Sequence, residues 1–195
     1  YPAIVLRNEP LPFAMDLRPR SNKTVPPAVS SEMPPQAFYV TGAGGRLTNG
    51  LGLALIDLKI PYSGMEISKY VLPRDRLGKL SSLMSEFIKR GGSKVIAVSA
   101  GAFLFLKHIE TYHNPDLQVT FFSPVLVATE AFVFNSSMVG SLRIVLGSED
   151  PVCPLHVAEA FNDSFEGSTL RVVEKAGHNL PHEVVREEIM CLMNS

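Results

Sequence analysis

The sequence predicts an α/β fold in which a doubly wound, mostly parallel sheet carries helices on both faces. From residue 36 onward, short apolar runs typical of strands alternate with longer segments of helical spacing. The strand segments are continuously apolar, which indicates burial on both faces and therefore a parallel sheet. The composition is that of an ordinary globular protein, since 46% of the 195 residues are hydrophobic and 19% are charged.

The first 35 residues differ from the rest because they hold more than half of the 15 prolines. Proline lacks a backbone N–H and fixes φ, so it is excluded from helix interiors and central strands. We therefore expect residues 1–35 to be an extended arm with edge strands at "AIVL" and "PFAMDLR". Residues 36–195 are expected to form the one folded domain.

The elements of the first half of this domain follow from local composition. "AFYVTG" (37–42) is an aromatic and β-branched run ended by glycine, which predicts a buried strand. A glycine-rich loop follows, then a short helix at "LALIDLKI" (53–60) and a weaker strand at "YSGMEISKYV" (62–71). "RDRLGKLSSLMSEFIKRGG" (74–92) has apolar residues at helical spacing and ends at two glycines, which predicts a helix.

In the second half, strands and helices continue to alternate. "KVIAV" (94–98) predicts a strand, and the helix after it (100–112) is apolar nearly all round, so it should lie in the interior. Further strands are expected at "LQVTFFSPV", "LRIVLG" and "TLRVVEKAG", and helices at "PLHVAEAFNDSF" and "PHEVVREEIMCLM", whose prolines suit a helix start. "ATEAFVFNSSM" (128–138) is a short helix or a loop.

Several classes of function are disfavoured. A net charge of −1 and the lack of a basic tract argue against nucleic acid as a partner. The glycines after the first strand miss the dinucleotide fingerprint G-x-G-x-x-G, because leucine stands at its third glycine, at Leu47 or Leu55. No apolar run reaches the roughly 18 residues that span a bilayer, so we expect a soluble protein, with the cytoplasm favoured. Cys153 and Cys191 form neither a disulfide framework nor a zinc site, and free thiols are favoured over one pairing.

Ser99 interrupts the apolar stretch "KVIAVSAGAFLFL" at the junction of a predicted strand and helix. Small residues, Ala97 and Gly101, lie two places to either side, as a sharp strand-to-helix turn requires. The pattern A-x-S-x-G is a variant of the nucleophile elbow G-x-S-x-G. The alternative is a serine that only caps the following helix.

Two later strands also end in residues that suit catalysis. Asp150 follows "RIVLG", and His178 follows "RVVEKAG". Considered alone, Asp150 would be interpreted as a helix N-cap before Pro151, and His178 as an ordinary loop histidine. In a doubly wound sheet, however, strand carboxyl ends share one rim, where ligands bind, so Ser99, Asp150 and His178 should converge there. A serine nucleophile needs a base and an orienting acid, which these residues can supply. Glu149, adjacent to Asp150, competes as the acid.

These motifs together resemble an α/β-hydrolase over residues 36–193. "AVSAG" resembles the nucleophile elbow, "GSEDPVCP" the acid loop, "AGHNLPHE" the histidine loop, and "YVTGAGG" the strand and loop that open the oxyanion hole. The resemblance implies Ser99 as nucleophile, His178 as base and Asp150 as acid. It also implies oxyanion donors at Ala100 and near Ala43, in a loop with Gly42 and Gly44. Thr41-Gly42 replaces the family's frequent His-Gly.

The expected activity is hydrolysis of a carboxylic ester or thioester through an acyl-enzyme, without a metal or organic cofactor. The expected partner is a small acyl substrate, and little or no lid is expected. Apolar residues that could line an acyl pocket, or else belong to the core, are Ala131–Phe134, Leu126, Met138 and Leu180. The alternatives are a non-catalytic binding or scaffold protein of the same fold, and a thioesterase domain of a larger protein.

Overall fold

A computed structural model describes residues 34–69, 73–126 and 137–195. Residues Ser31–Ser195 form one compact unit. The strands expected at "AIVL" and "PFAMDLR", and nearly all of "ATEAFVFNSSM", lie outside the described residues.

The described residues form strands and helices in alternation. The strands are β1 (Ala37–Val40), β2 (Tyr62–Met65), β3 (Lys94–Val98), β4 (Asn114–Phe122), β5 (Val139–Gly147) and β6 (Ser168–Val173). The helices are α1 (Leu51–Asp57), α2 (Pro73–Lys89), α3 (Ala100–Ile109), α4 (Leu155–Ser164) and α5 (His182–Asn194), with a 3₁₀ turn at Ile67–Lys69. None of the helices in these described ranges is long and apolar enough to cross a membrane.

The six strands form one sheet in the order β2-β1-β3-β4-β5-β6, and every neighbouring pair is parallel. All six strands therefore end at the same edge. β2 lies on one side of β1, whereas β3 and the later strands lie on the other side, so the strand order reverses between β1 and β3. In open α/β sheets, ligands bind in the crevice at this topological switch point. β3, which precedes Ser99, lies next to β1 at this point.

Helices cover both faces of the sheet, as expected. On one face, α2, α3 and α4 bury Leu80, Met84, Phe105 and Phe161 against strand residues such as Phe121. On the other face, α1 and α5 bury Leu55, Ile189 and Leu192 against strand residues such as Val145. The predicted fold class, a doubly wound sheet with helices on both faces, is confirmed.

Three of the strands, β2, β4 and β6, end well before the predicted boundary, each for a local reason. β2 ends at Met65, and a 3₁₀ turn follows that buries Ile67. β4 ends at Phe122, because Ser123 has a φ of 44°, outside the extended region. β6 ends at Val173, because the chain turns there through Lys175, whose φ is 59°. Each departure lies at the edge where the strands end.

A buried carboxylate joins the last two strands to the last helix. Glu188 of α5 is only 1% exposed and forms ion pairs with Arg143 of β5 and Arg171 of β6. Arg143 Nη2 donates to Glu188 Oε1 at 2.9 Å, and Arg171 Nη2 donates to Glu187 Oε2 at 2.9 Å. Burial acts to raise the pKa of Glu188, but the two guanidinium groups outweigh it and hold the pKa below its usual range.

Candidate active site

Ser99 lies at a sharp turn between β3 and α3, with φ 52° and ψ −121°. Its amide donates to the carbonyl of Phe122 at 3.0 Å, and its carbonyl accepts from the amide of Val125 at 3.1 Å. The backbone of Ser99 is therefore fixed from the β4 side. Its hydroxyl makes no capping bond to α3, so the helix-cap alternative does not describe this serine.

Gly101 is required by the path of the chain. A Cβ built at this position would lie 2.4 Å from the carbonyl oxygen of Thr41 and 2.7 Å from that of Val40. The first turn of α3 thus passes directly over the end of β1. Ala97, on the other side of the serine, is fully buried within β3. The small residues of the A-x-S-x-G pattern are explained by close packing.

Asp150 follows β5 and is buried, with a fully covered side chain. Its Oδ1 accepts hydrogen bonds from the amides of Val152 at 2.8 Å and Cys153 at 3.1 Å, which fix the orientation of the carboxylate. Glu149 is exposed instead. Of the two adjacent acids left open by the sequence, the structure brings Asp150 to the histidine.

His178 joins the serine to this carboxylate. Its Nδ1 lies 2.9 Å from Asp150 Oδ2 and 3.0 Å from Oδ1, and its Nε2 lies 3.0 Å from Ser99 Oγ. An ionised carboxylate only accepts hydrogen bonds, so Nδ1 carries the proton and Nε2 is free to accept from the serine hydroxyl. The imidazole side chain is 27% exposed, so one part of it faces the adjacent cavity.

The loop after β5 and the loop that carries His178 touch through Gly147. A Cβ at Gly147 would lie 2.2 Å from the carbonyl oxygen of Ala176 and 2.4 Å from that of Gly177. Glu149 also donates its amide to the carbonyl of Ala176 at 2.9 Å. This close contact brings Asp150 within reach of His178, although 28 positions separate them.

The expected oxyanion residues lie beside Ser99. Gly42, Ala43 and Gly44 line the same cavity as the serine, and a Cβ on Gly42 would lie 3.2 Å from that of Ser99. Ala100 is the first residue of α3. Within the described part of the chain, no group accepts a hydrogen bond from the amide of Ala43 or Ala100. Both amides are therefore available to a ligand.

A cavity of about 530 Å³ opens above Ser99 and His178. Its walls are largely apolar and come from β1, β3, β4, α1, the histidine loop and α5, namely Tyr39, Leu51, Leu53, Val98, Phe122, Leu180 and Val185. No acidic side chain lines it, while Arg46 and His182 do. The site is therefore suited to an uncharged or anionic molecule with an apolar part.

The cavity wall agrees only partly with the residues suggested by the sequence. Leu180 lines it, whereas Leu126 and Met138 are buried in the core. Residues 131–134 lie outside the described ranges. The sequence analysis does not identify the cavity-lining residues of α1 and α5, such as Leu53 and Val185. The apolar spacing of a helix predicts which of its faces is buried, but not that the helix packs beside the strand ends and lines the cavity there.

Both cysteines are free, as expected. Cys153 is buried beside the acid, and burial together with the charge of Asp150 raises the pKa of its thiol to about 11. The thiol therefore stays protonated at neutral pH and adds no second anion near Asp150. Across the described ranges, no group of three or more His, Cys, Asp or Glu side chains is placed to hold a metal ion.

Comparison with known proteins gives agreement in structure but not in sequence. No family model and no curated protein matches the sequence. Among solved structures, a predicted CIB-like hydrolase from Thermoplasma acidophilum superimposes with a TM-score of 0.58 at 18% identity, covering 85% of this chain and 89% of its own. The ydeN gene product of B. subtilis gives a TM-score of 0.64 at 14% identity, covering 82% of this chain and 99% of its own.

A third similar structure is a Xanthomonas campestris protein whose name assigns it to the hydrolases of the alpha/beta superfamily. Its TM-score is 0.61 at 14% identity, and the match covers 80% of this chain and 98% of its own. Together with the all-parallel sheet and its strand order, these likenesses define the class of fold. The chain has the α/β-hydrolase fold.

Proposed function

We propose that this protein is a serine hydrolase that cleaves a carboxylic ester or thioester through an acyl-enzyme on Ser99. The observation that carries the proposal is the continuous hydrogen-bonded chain from Ser99 Oγ through His178 to the buried carboxylate of Asp150. A weak nucleophile, a base within hydrogen-bond distance and a group that orients the base are the parts that nucleophilic acyl transfer needs.

In the acylation step, Ser99 Oγ attacks the acyl carbonyl while its proton passes to His178 Nε2. Asp150 keeps the other proton on Nδ1 and stabilises the imidazolium that forms. The tetrahedral intermediate collapses, the bond from the acyl carbon to the leaving oxygen or sulfur breaks, and Nε2–H protonates the leaving group. Ser99 is left esterified and His178 neutral.

In the deacylation step, water attacks the acyl carbon and gives a proton to His178 Nε2. The bond to Ser99 Oγ then breaks, the serine recovers that proton, and the free acid departs. In both steps the negative oxygen is held by the amides of Ala43 and Ala100, which have no acceptor within the described protein. Loss of one such donor typically costs about 10²–10³ in rate.

The apolar lining of the cavity favours a substrate whose acyl or alcohol group is apolar. Leu51 and Leu53 of α1 line this cavity together with Leu180 and Val185, as does Ser99. Burial of apolar surface contributes roughly 25 cal/mol per Å². We therefore expect kcat/KM to rise with chain length until the ester fills the cavity.

A panel of p-nitrophenyl esters of increasing acyl length tests the proposal. The wild type should release p-nitrophenol, and Ser99→Ala should lower kcat by on the order of 10⁴–10⁶, since the three groups act as a unit. Ser141→Ala, at an exposed serine near the start of β5 and away from the strand ends, is the matched control and should retain wild-type activity. Turnover that survives in Ser99→Ala, or a wild type inert toward every ester and thioester, would contradict the proposal.

A further inference from the structure

Leu47, in the glycine-rich loop that carries Ala43, is bound by one side chain of β2 and one of the residue that follows β2. The amide of Leu47 donates to Glu66 Oε1 at 3.0 Å, and its carbonyl accepts from the Tyr62 hydroxyl at 2.7 Å. Its side chain packs on Gly64, where a Cβ would lie 2.7 Å from Leu47 Cδ2. Both polar backbone groups of one loop residue are thus bound by side chains from outside the loop.

Glu66 is ionised in this arrangement. It is 13% exposed on its side chain, and Lys69 Nζ lies 2.9 Å from its Oε2. Burial acts to raise the pKa of Glu66, but the Leu47 amide, Lys69 and the charge of Arg46 lower it by more. A hydrogen bond from an amide to an ionised acceptor is about twice as strong as one between neutral groups.

Tyr62 is the neutral counterpart. Burial and the adjacent Glu66 raise the pKa of its phenol, so the hydroxyl keeps its proton and donates it to the Leu47 carbonyl. Its ring packs edge-on against Tyr39, with centroids 6.4 Å apart. Tyr39 lines the cavity above Ser99. Tyr62 therefore connects the cavity wall to the loop.

The start of the loop is attached to the same region. Thr41 donates its amide to the carbonyl of Met65 at 3.1 Å, and its hydroxyl accepts from the amide of Ile67 at 3.3 Å. Between these points, Gly45 donates its amide to the carbonyl of Gly42 at 3.0 Å. Residues 41 and 47 thus fix both ends of a short turn that contains Ala43.

We propose that Glu66 and Tyr62 are positioning residues that hold the Ala43 amide where the oxyanion forms. This inference rests on the proposed function. An oxyanion donor acts mainly on the transition state, so its misplacement lowers kcat more than it changes KM. A displacement of about 1 Å at such a group can cost on the order of 10²-fold.

The test compares Tyr62→Phe and Glu66→Gln with Lys69→Met. Tyr62→Phe removes only the hydroxyl, and Glu66→Gln removes the charge but keeps an amide oxygen that can accept from Leu47. Each should lower kcat for a p-nitrophenyl ester by about 10-fold to 100-fold, with KM within about threefold. Lys69→Met removes the exposed ion pair alone and should stay within about twofold of the wild type.

A second readout separates positioning from stability. An arylboronic acid, which forms a tetrahedral adduct on a reactive serine, should bind Tyr62→Phe more weakly by about the factor lost in kcat. Tyr62→Phe with wild-type kcat and wild-type boronate affinity would overturn the inference, even if its melting temperature falls. A wild type that neither hydrolyses esters nor binds the boronate would overturn the proposed function instead. If Glu66→Gln fails to fold, Tyr62→Phe alone decides.

Discussion

Asp150 and Glu188 are both buried carboxylates near the last strands of the sheet, but their partners differ in kind. Asp150 accepts from two backbone amides and from His178, whose other ring nitrogen lies 3.0 Å from Ser99 Oγ. Glu188 accepts from Arg143 and Arg171, which keep their charge. A carboxylate that orients an imidazole next to a serine hydroxyl can assist chemistry, whereas one between two guanidinium groups acts on the stability of the fold.

The largest expected effect is on the Asp150 side of this comparison. Asp150→Asn keeps the shape but favours the tautomer of His178 in which Nε2 carries the proton and cannot accept from Ser99. We expect kcat to fall by about 10⁴-fold. Steady-state kinetics on the best ester of the panel measures this, with circular dichroism to show that the fold is retained. A variant with more than a tenth of the wild-type kcat would remove Asp150 from the mechanism.

On the Glu188 side, the expected effect is on stability. Glu188→Gln removes the negative charge that pairs with Arg143 and Arg171. Breaking a fully buried pair costs about 3–5 kcal/mol, but both arginine side chains are about one third exposed, so we expect a loss of about 2 kcal/mol.

Urea unfolding of Glu188→Gln should show that loss, equivalent to a fall of about 4–8 °C in Tm. Its kcat at 25 °C should stay within about threefold of the wild type, because no reacting group has been touched. Glu187→Gln is the matched control, since Glu187 is exposed and pairs with Arg171 at the surface. It should cost less than about 0.5 kcal/mol. Equal losses in the two variants would contradict the distinction between the buried and the exposed carboxylate.

A smaller effect on stability is expected from His108, a buried histidine whose pKa is shifted by burial rather than by a neighbouring charge. His108 is 3% exposed and bonds Ser81 Oγ through Nδ1 at 3.0 Å, and burial lowers its pKa to about 4. As the pH falls below the usual histidine value of about 6.5, the unfolded chain binds a proton before the folded one does. The stability that His108 provides as a neutral group is complete above that pH and is lost as the pH falls toward 4.

Between pH 6.5 and pH 5, we expect this histidine to account for about 1–2 kcal/mol of lost stability. Urea titrations at several pH values measure the slope, and His108→Gln should show a shallower one. A variant with the same pH slope as the wild type would show that His108 is not the group that titrates.

Much of the site could be predicted because a parallel sheet places all its strand ends on one rim. That topology follows from apolar strands alternating with helices, so Ser99, Asp150 and His178 could be expected to converge. The need for glycine at position 101 was also visible as part of the A-x-S-x-G pattern. Its cause, contact with the carbonyl oxygens of Val40 and Thr41, is a long-range packing effect.

The parts that could not be predicted depend on contacts between distant segments. Glu149 and Asp150 are both acids after a strand. The choice of Asp150 depends on the Val152 and Cys153 amides, which orient its carboxylate, and on the contact of Gly147 with the histidine loop. Glu66 and Tyr62 belong to a segment expected as a weak strand, and nothing in its sequence indicates a bond to Leu47. The cavity walls at Leu53 and Val185 likewise depend on how α1 and α5 pack beside the rim.

The central claim is that Ser99 is the nucleophile. Labelling with a fluorophosphonate, followed by tryptic digestion and mass spectrometry, tests it most directly. Cleavage after Lys94 and Lys107 isolates residues 95–107, in which Ser99 is the only serine or threonine and no cysteine or tyrosine is present. The expected result is one label per chain on this peptide, lost in Ser99→Ala. An unlabelled wild type beside a reactive control hydrolase, or a label on any other peptide, would contradict the claim.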